Sequence, residues 1–422
     1  MISSREIALP KFVKVHQRFP VAQVENVEKE VADQFACINP EIKLGAQIGI
    51  TAGSRGICNM SRVIAQLVKE VKDRGGVPFI IPAMGSHGGA TAEGQKEVLA
   101  GYGITEETMG APIRATMEVV EIGSLEGGQS VYMDKYATEA DGLIVVNRIK
   151  PHTDFHGLIE SGLMKVMAIG LGKKIGAESI HAYGVYGLKN HIPQVARVML
   201  EKSAVIMGLG LVENAYDKTA KIIGMAPEKI EETEKKVVVD AKELMPKLPF
   251  DRLDLLVVNE IGKNISGTGM DTNIIGRLQI RGEKEPESPF IYRIVALDLT
   301  EESHGNATGI GLADAISQKL SDKVDKSITD PNIITSGFLS RGAIPVTLPS
   351  DEETIKVAIQ SCANPVPPEQ LHMVIIKNTL ELAEIYVSEG LLEQVRKNDI
   401  LEIEGELMEL NFNDKGNLTL FD

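Results

Sequence analysis

Two hydrophobic periodicities alternate along the chain. Nearly continuous apolar runs, typical of buried parallel strands, lie at residues 43–50, 77–81, 142–146, 166–169, 204–207 and 255–258. Between two of these runs, apolar residues recur at helical spacing, in a stripe formed by Val63, Ile64, Leu67, Val68 and Val71. Strands that alternate with helices predict βαβ units and a largely parallel sheet.

A domain boundary is predicted near residues 245–251, where two prolines follow a second helical stripe. That stripe consists of Ile230, Val237, Val238, Ala241 and Leu244. We therefore predict two α/β domains, residues 1–248 and 249–422, with mainly parallel sheets and an active site in the cleft between them. Partial alternation over residues 401–412, followed by the turn-forming NDKGN, predicts a short β-hairpin near the C-terminus.

Charge and cysteine content narrow the class of protein. The 422 residues include 44 Lys and Arg against 59 Asp and Glu, a net charge of −15, and contain no basic block. This balance argues against nucleic acid or an anionic membrane as the main partner. The three cysteines are scattered and form no CxxC, and the N-terminus has no apolar signal segment. The sequence thus predicts a cytoplasmic enzyme that acts on a small molecule.

The commonest catalytic signatures are missing from the sequence. No GxGxxG fingerprint, P-loop, HExxH or GxSxG occurs. Four histidines instead lie in glycine-punctuated segments that follow predicted strands: His87, His152, His156 and His181. The carboxyl ends of parallel strands form the ligand-binding edge of such a sheet. Because histidine titrates near neutrality, a pair on opposite sides of a bound carbon suits a racemase or epimerase.

Other reactive groups accompany these histidines. Ser54 and Arg55 follow the first predicted strand and precede a helix N-terminus, which favours a phosphate or carboxylate site. An arginine there can hold a carboxylate bidentately. Lys165 becomes a candidate nucleophile if it is desolvated.

The order of these segments resembles the lactate racemase family, whose members use a nickel-pincer nucleotide cofactor. The family's Thr-Arg-Pro segment corresponds to GSRG at 53–56, and its Ala-Thr-Gly-x-His to AMGSH at 83–87. Its Ser-Gly-Gly-x-Lys corresponds to SGLMK at 161–165, and its second-domain Gly-Gly-x-Pro-x-Asp-x-Asn to SGTGMDTN at 266–273. The resemblance implies a cofactor-bearing N-terminal domain and a smaller C-terminal domain that closes over it.

The resemblance also implies a role for each matched residue. Lys165 carries the cofactor through a thioamide bond, and His181, sixteen residues later, is the nickel ligand. His87 is one catalytic acid–base group, and His156 or His152 is the second. Further implied contacts are Ser54 and Gly162 with the cofactor, and Arg55, Arg277, Asp271 and Asn273 with the substrate.

Departures from the family's motifs concern the substrate more than the cofactor. Gly56 replaces the proline of the first motif, Leu163 replaces a glycine, and the chain has no tryptophan. We therefore expect a racemase or epimerase of a 2-hydroxy acid other than lactate. Its partners would be that acid and the enzymes that synthesise the cofactor. The sequence leaves the oligomeric state open, with a homo-oligomer among the options.

Two other functions are consistent with the same residues. A zinc-dependent hydrolase or lyase would use His152 and His156 with His181 or Asp154 as ligands. Pro151 and Gly157 make a helix, and therefore a helical histidine pair, doubtful at this place. A nucleotide- or hydroxy-acid-binding protein without turnover would use Arg55 and the glycine turns as an anion site.

Overall fold

The computed structural model describes residues 7–54, 56–362 and 366–421. The chain divides into two compact units, a first unit of Val21–Met245 and a second unit of Pro246–Asp422 together with the residues up to Pro20. This division falls within the linker predicted at residues 245–251. The N-terminal segment groups with the second unit, and not with the domain predicted over residues 1–248, because its strand pairs with two C-terminal strands.

Fifteen strands are present in the described part of the chain. They are β1 (Phe12–Gln17), β2 (Gln47–Ala52), β3 (Val77–Pro82), β4 (Val119–Ser124), β5 (Ser130–Asp134), β6 (Gly142–Arg148), β7 (Val205–Glu213), β8 (Thr219–Met225), β9 (Arg252–Ile261), β10 (Phe290–Leu299), β11 (Ala315–Ser317), β12 (Val346–Leu348), β13 (Met373–Ile376), β14 (Glu384–Ser388) and β15 (Leu401–Met408).

Fifteen α-helical segments accompany these strands in the described ranges. They are α1 (Val27–Ile38), α2 (Met60–Asp73), α3 (Ala92–Gly101), α4 (Glu106–Met109), α5 (Lys135–Thr138), α6 (Leu163–Lys165), α7 (Lys173–His181), α8 (Gly184–Tyr186), α9 (Ile192–Lys202), α10 (Ile230–Leu244), α11 (Thr272–Ile275), α12 (Gln318–Asp322), α13 (Lys326–Ser336), α14 (Asp351–Gln360) and α15 (Leu392–Arg396). Two π-helical turns span Val166–Leu171 and Gly187–His191.

The first unit is built on a five-stranded sheet in the order β3-β2-β6-β7-β8. Its first four strands are parallel, and β8 runs antiparallel to β7. One face packs on α1 and α2, whose apolar stripes are buried in the core. Gly208 of β7 faces the other side, where Leu163 of α6 and Ile230 of α10 pack closely on it. Helices therefore cover both faces, as burial of a parallel sheet requires.

The second unit contains an eight-stranded mixed sheet in the order β12-β11-β10-β9-β13-β14-β1-β15. The strands from β12 to β13 are parallel, and β14, β1 and β15 continue the sheet antiparallel. After β15, a bridge between Phe412 and Leu418 closes the predicted C-terminal turn. The predicted fold class, two α/β domains with mainly parallel sheets and a short C-terminal strand pair, is confirmed.

One predicted strand is wrong. Residues 166–169 lie in the π-helical turn Val166–Leu171, most of whose residues are buried. A short apolar run has no periodicity that separates a buried strand from a buried helical turn. Across the described ranges, no helix has the length and apolarity needed to cross a bilayer.

Candidate functional site

Three of the predicted site residues follow neighbouring strands of the first unit. Ser54 lies two residues beyond β2, His87 five beyond β3, and His152 four beyond β6. These three strands are adjacent and parallel, so their carboxyl ends meet at one edge of the sheet. The fold thus brings these residues to the edge where α/β proteins bind ligands.

The exposed His87 is held at its ring and at its backbone. Its Nδ1 forms a short hydrogen bond with Ser54 Oγ, and the Tyr102 hydroxyl donates to the Ser54 carbonyl at 3.1 Å. The buried Gln95 of α3 donates from Nε2 to the carbonyls of Gly85, at 3.0 Å, and His87, at 3.3 Å. The imidazole is therefore held through Nδ1, and the loop that carries it is held through two carbonyls.

A buried lysine connects this loop with α7. Lys173 Nζ donates to the Pro82 carbonyl at 2.5 Å and to Gln95 Oε1 at 3.0 Å, and it pairs with Asp134. Lys173 begins α7, which ends at His181. The Lys173 ammonium thus links the end of β3, the Gln95 side chain that holds the backbone of His87, and α7, which ends at His181.

A second loop carries His152 and His156. Backbone hydrogen bonds between Lys150 and Ser161, at 2.9 and 3.2 Å, close residues 150–161 into a ring. Inside it, the buried Glu160 carboxylate accepts the backbone N–H of His152 at 2.8 Å. This loop is not helical, so the two histidines do not form a helical zinc pair.

Glu160 has two further partners in this region. Its Oε1 accepts from Lys242 of α10 at 2.5 Å, and its Oε2 lies 3.4 Å from Nδ1 of the exposed His156. Burial acts to raise the pKa of Glu160, but the hydrogen bonds from His156 and Lys242 lower it below its ordinary value. A carboxylate that stays ionised therefore fixes the loop through both its backbone and its side chains.

His152 directly contacts the predicted cofactor lysine. Its Nε2 lies 2.7 Å from Lys165 Nζ, its Nδ1 accepts the backbone N–H of Asp154 at 3.0 Å, and its ring stacks on Phe155 with centroids 4.5 Å apart. A lysine ammonium can only donate, so in this contact either His152 Nε2 accepts a proton of Lys165, or a neutral Lys165 accepts the Nε2 proton. The structure therefore brings His152 and Lys165 together.

A buried carboxylate supports the segment that carries Lys165. Glu234 Oε2 of α10 accepts the backbone N–H groups of Leu163, at 2.7 Å, and Met164, at 3.1 Å, at the start of α6. A Cβ on Gly162 would lie 2.5 Å from this carboxyl group. Gly162 therefore allows Glu234 to reach the first turn before Lys165.

His181 ends α7 and is partly buried. Burial lowers its pKa, and the positive charge of Lys165 lowers it further, while Asp154 acts in the opposite direction. A neutral imidazole has the lone pair that a metal ligand needs. Among the residues that the structure describes, no group of three or more His, Cys, Asp or Glu side chains is arranged to hold a metal ion.

The second unit holds three of the predicted substrate residues. Asp271 is buried, receives the backbone N–H of Asn273 at 2.9 Å, and donates its own N–H to Thr379 Oγ1 at 2.9 Å. The Arg277 guanidinium donates to Asp314 and to the Leu312 carbonyl within the same unit. A role for Arg277 as a substrate contact would require it to leave these acceptors. Arg55 lies outside the described residues.

Sequence reasoning missed the residues that support the site. They are Gln95, Glu160, Lys173 and Glu234, all buried. One signal was present in the sequence, because Glu234 falls four residues after Ile230 on the apolar stripe of α10. A charged residue on a buried stripe indicates a partner in the interior.

Residues 50–187 match the family model of the lactate racemase N-terminal domain. This part of the chain is therefore similar to the N-terminal domain of lactate racemases. The matched range includes Ser54, His87, His152, Lys165 and His181, so the site residues described above in the first unit lie within the region of similarity.

The fold is also similar to that of a solved structure. The lactate racemase apoprotein from Thermoanaerobacterium thermosaccharolyticum aligns with a TM-score of 0.53 and 14% sequence identity, over 88% of this chain and 99% of that chain. At this identity, the likeness establishes the fold alone. No curated protein sequence matches the chain.

Proposed function

We propose that this protein is an isomerase, a racemase or epimerase of a 2-hydroxy acid, with a nickel-pincer nucleotide attached to Lys165. The observation that carries the proposal is the cluster in the region similar to the lactate racemase N-terminal domain. There, the Lys165 amine contacts His152 at 2.7 Å and lies near enough to His181 to lower the pKa of that imidazole. An amine, a neutral imidazole and a second histidine are the groups that this cofactor chemistry uses.

The residues fit the cofactor in number and kind. Lys165 would hold it covalently, and His181 would supply one nitrogen ligand to nickel while the cofactor supplies its own donors. When bound, the cofactor would supply a reversible acceptor for the hydride of C2, which is the chemistry that racemisation at this carbon requires. The supporting observation is that burial keeps His181 neutral and thus able to ligate.

The histidines move the hydroxyl proton. His87 would accept this proton at Nε2 and return it, since Ser54 already holds its Nδ1. The contact with Lys165 supports His152, which lies beside the cofactor attachment, as the second acid–base group. His156, exposed and bonded to Glu160, then has a role in ordering the loop. Arg55 as the carboxylate anchor, and Asp271 and Asn273 as further contacts, stay predictions from the sequence.

The test is intact-protein mass and nickel content after co-production with cofactor-synthesis enzymes, the partners that the proposal requires. We expect an added mononucleotide mass on Lys165, near-stoichiometric nickel, and loss of both in Lys165→Ala. Lys174→Ala, which removes an exposed lysine of the same segment, is the matched control and should retain them. Loaded protein should then abolish the optical rotation of one enantiomer of a 2-hydroxy acid, with lactate included in the screen.

Other outcomes would favour the alternatives. An unmodified Lys165 under these conditions contradicts the proposal. Stoichiometric zinc in its place would favour the hydrolase or lyase. Tight binding of hydroxy acids that survives His87→Gln, without isomerisation, would favour a binding protein. A cytoplasmic location is part of the proposal and is supported by sequence composition alone.

A further inference from the structure

The three histidines at the sheet edge differ in the partner of Nδ1. His87 has a hydroxyl, from Ser54. His152 has the backbone N–H of Asp154, which donates at 3.0 Å, and the carboxylate of the same residue at 3.8 Å. His156 has a carboxylate, from Glu160, at 3.4 Å. These partners have different consequences for proton exchange, because an amide N–H only donates, an ionised carboxylate only accepts, and a hydroxyl does both.

The working nitrogen of an acid–base imidazole must lose and regain its proton. An ionised carboxylate at Nδ1 can only accept, and so needs a ring that carries its proton there. A hydroxyl can accept the Nδ1 proton in both the neutral and the charged ring, and it adds no charge of its own.

This difference matters for a reversible isomerisation. The imidazole must accept the hydroxyl proton of one enantiomer and return a proton when that enantiomer is formed again. General acid–base catalysis in both directions works best when neither protonation state is strongly favoured at the operating pH. The neutral hydroxyl beside His87 meets this requirement, because it can keep its hydrogen bond to Nδ1 in both protonation states of the ring.

Both ends of the Ser54–His87 contact are also fixed by separate hydrogen bonds. Tyr102 holds the backbone of Ser54 at 3.1 Å, and Gln95 holds the backbone of His87 at 3.3 Å. The hydroxyl and the ring therefore meet without the entropy cost of ordering two mobile loops. Arg55, adjacent to Ser54 in the chain, is the nearest charged neighbour in sequence and lies outside the described residues.

We propose that Ser54 is a positioning residue, whose hydroxyl accepts the Nδ1 proton of His87 and leaves Nε2 as the nitrogen that exchanges the substrate proton. This inference rests on the proposed function and deepens it. In the exchange, the substrate O–H bond breaks, its proton forms an N–H bond at Nε2, and the reverse step restores both bonds. The serine hydroxyl neither gains nor loses a proton.

The contact is tested first in protein without cofactor. Long-range ¹H–¹⁵N spectra of ¹⁵N-histidine protein, with the signal assigned by His87→Gln, report tautomer and titration. We expect neutral His87 to be protonated at Nδ1 in the wild type and in Ser54→Thr. Ser54→Ala should shift the ring toward the Nε2–H tautomer, and Ser54→Asp should raise its pKa by about one unit or more. Ser86→Ala, at the adjacent serine, is the control and should match the wild type.

The second test measures the activity of enzyme that carries the cofactor. Ser54→Ala should lower kcat about 10- to 100-fold in both directions, with a change in KM of less than about twofold, and Ser54→Thr should restore it. Intact mass gives the fraction of Lys165 that carries the cofactor in each variant, and kcat is calculated per loaded enzyme. Wild-type tautomer and rate in Ser54→Ala would overturn the inference and leave the proposed function intact. An unloaded Lys165 in wild-type protein would instead refute the proposed function, while the spectra still decide whether Ser54 sets the tautomer.

Discussion

Lys173 and Asp134 form an ion pair in the interior of the first unit, with 3.0 Å between Lys173 Nζ and Asp134 Oδ2 and no exposure of either side chain. Burial lowers the pKa of Lys173 and raises that of Asp134, because both charges lose water. The ammonium also donates to Pro82 and Gln95. These additional hydrogen bonds compensate the charge and join α7 to the loop of His87.

Removal of one partner of this ion pair should lower the free energy of unfolding. Lys173→Met leaves Asp134 buried without its cation, and we expect a loss of roughly 3–5 kcal/mol in the free energy of unfolding. Lys173→Met with Asp134→Asn should recover much of this loss, since the oxygen of the introduced amide can still accept the N–H of Ala137. Urea unfolding measures both, with the exposed Lys174→Met as control. A single variant as stable as the double one would contradict the role of the pair.

A substitution at Gln95 should disturb the loop of His87 while it keeps the contact with Lys173. In the wild type, the Gln95 amide N–H groups donate to the carbonyls of Gly85 and His87. Gln95→Glu keeps an acceptor for Lys173 but replaces these donors with an oxygen, which repels the two carbonyls. We expect faster hydrogen exchange over residues 84–90 and a rate of the loaded enzyme about 10- to 100-fold lower. Glu97→Gln, at an exposed position of α3, should change neither quantity. Unaltered exchange in Gln95→Glu would show that the loop is held by other contacts.

The sequence predicts well the elements in which buried apolar residues recur at a regular spacing. The stripe of Val63 to Val71 is buried in α2, and the stripe that begins at Ile230 is buried in α10. The order of glycine-rich turns after strands also predicts that Ser54, His87 and His152 share one edge of the sheet. In each case, the pattern is local and reflects the period of the element.

The contacts that organise the site are not local. Glu234 reaches Leu163 across 71 positions, and Lys242 reaches Glu160 across 82. No periodicity encodes such a pairing, because it depends on how helices pack on the sheet. The same reason explains β1, whose pairing with β14 and β15 is decided by residues near the other end of the chain.

The loop of His152 should depend on Glu160 and Lys242. In Glu160→Gln, one acceptor for the backbone remains but the charge that binds Lys242 is lost. We expect this to cost about 1–3 kcal/mol locally and to accelerate exchange of the His152 and Gly157 amides, which both donate to this carboxylate. Lys236→Met, an exposed position of α10, is the control. Protection of both amides in Glu160→Gln would contradict the role of Glu160.

The last prediction concerns pH and Glu234. Burial raises its pKa from 4.5 to about 7, although the N–H groups of Met164 and Leu163 act in the opposite direction. Between these two values, the folded protein binds more protons than the unfolded chain, so the contribution of Glu234 to stability falls as pH rises. The full contribution is present below pH 4.5 and is lost through pH 7, a change of about 3 kcal/mol.

Glu234→Gln should remove this dependence, because the amide cannot ionise. We expect the free energy of unfolding of the variant, relative to wild type, to increase between pH 5 and pH 8. Glu231→Gln on the same helix is the control. Arg197 above all, with Lys235, lowers the pKa of Glu231 from 4.5 to about 2, so that its contribution is lost as pH falls from 4.5 through 2. Its difference from wild type should therefore stay constant from pH 5 to pH 8. A constant difference for Glu234→Gln as well would mean that Glu234 is ionised throughout this range, and that the N–H groups at the start of α6 compensate its burial.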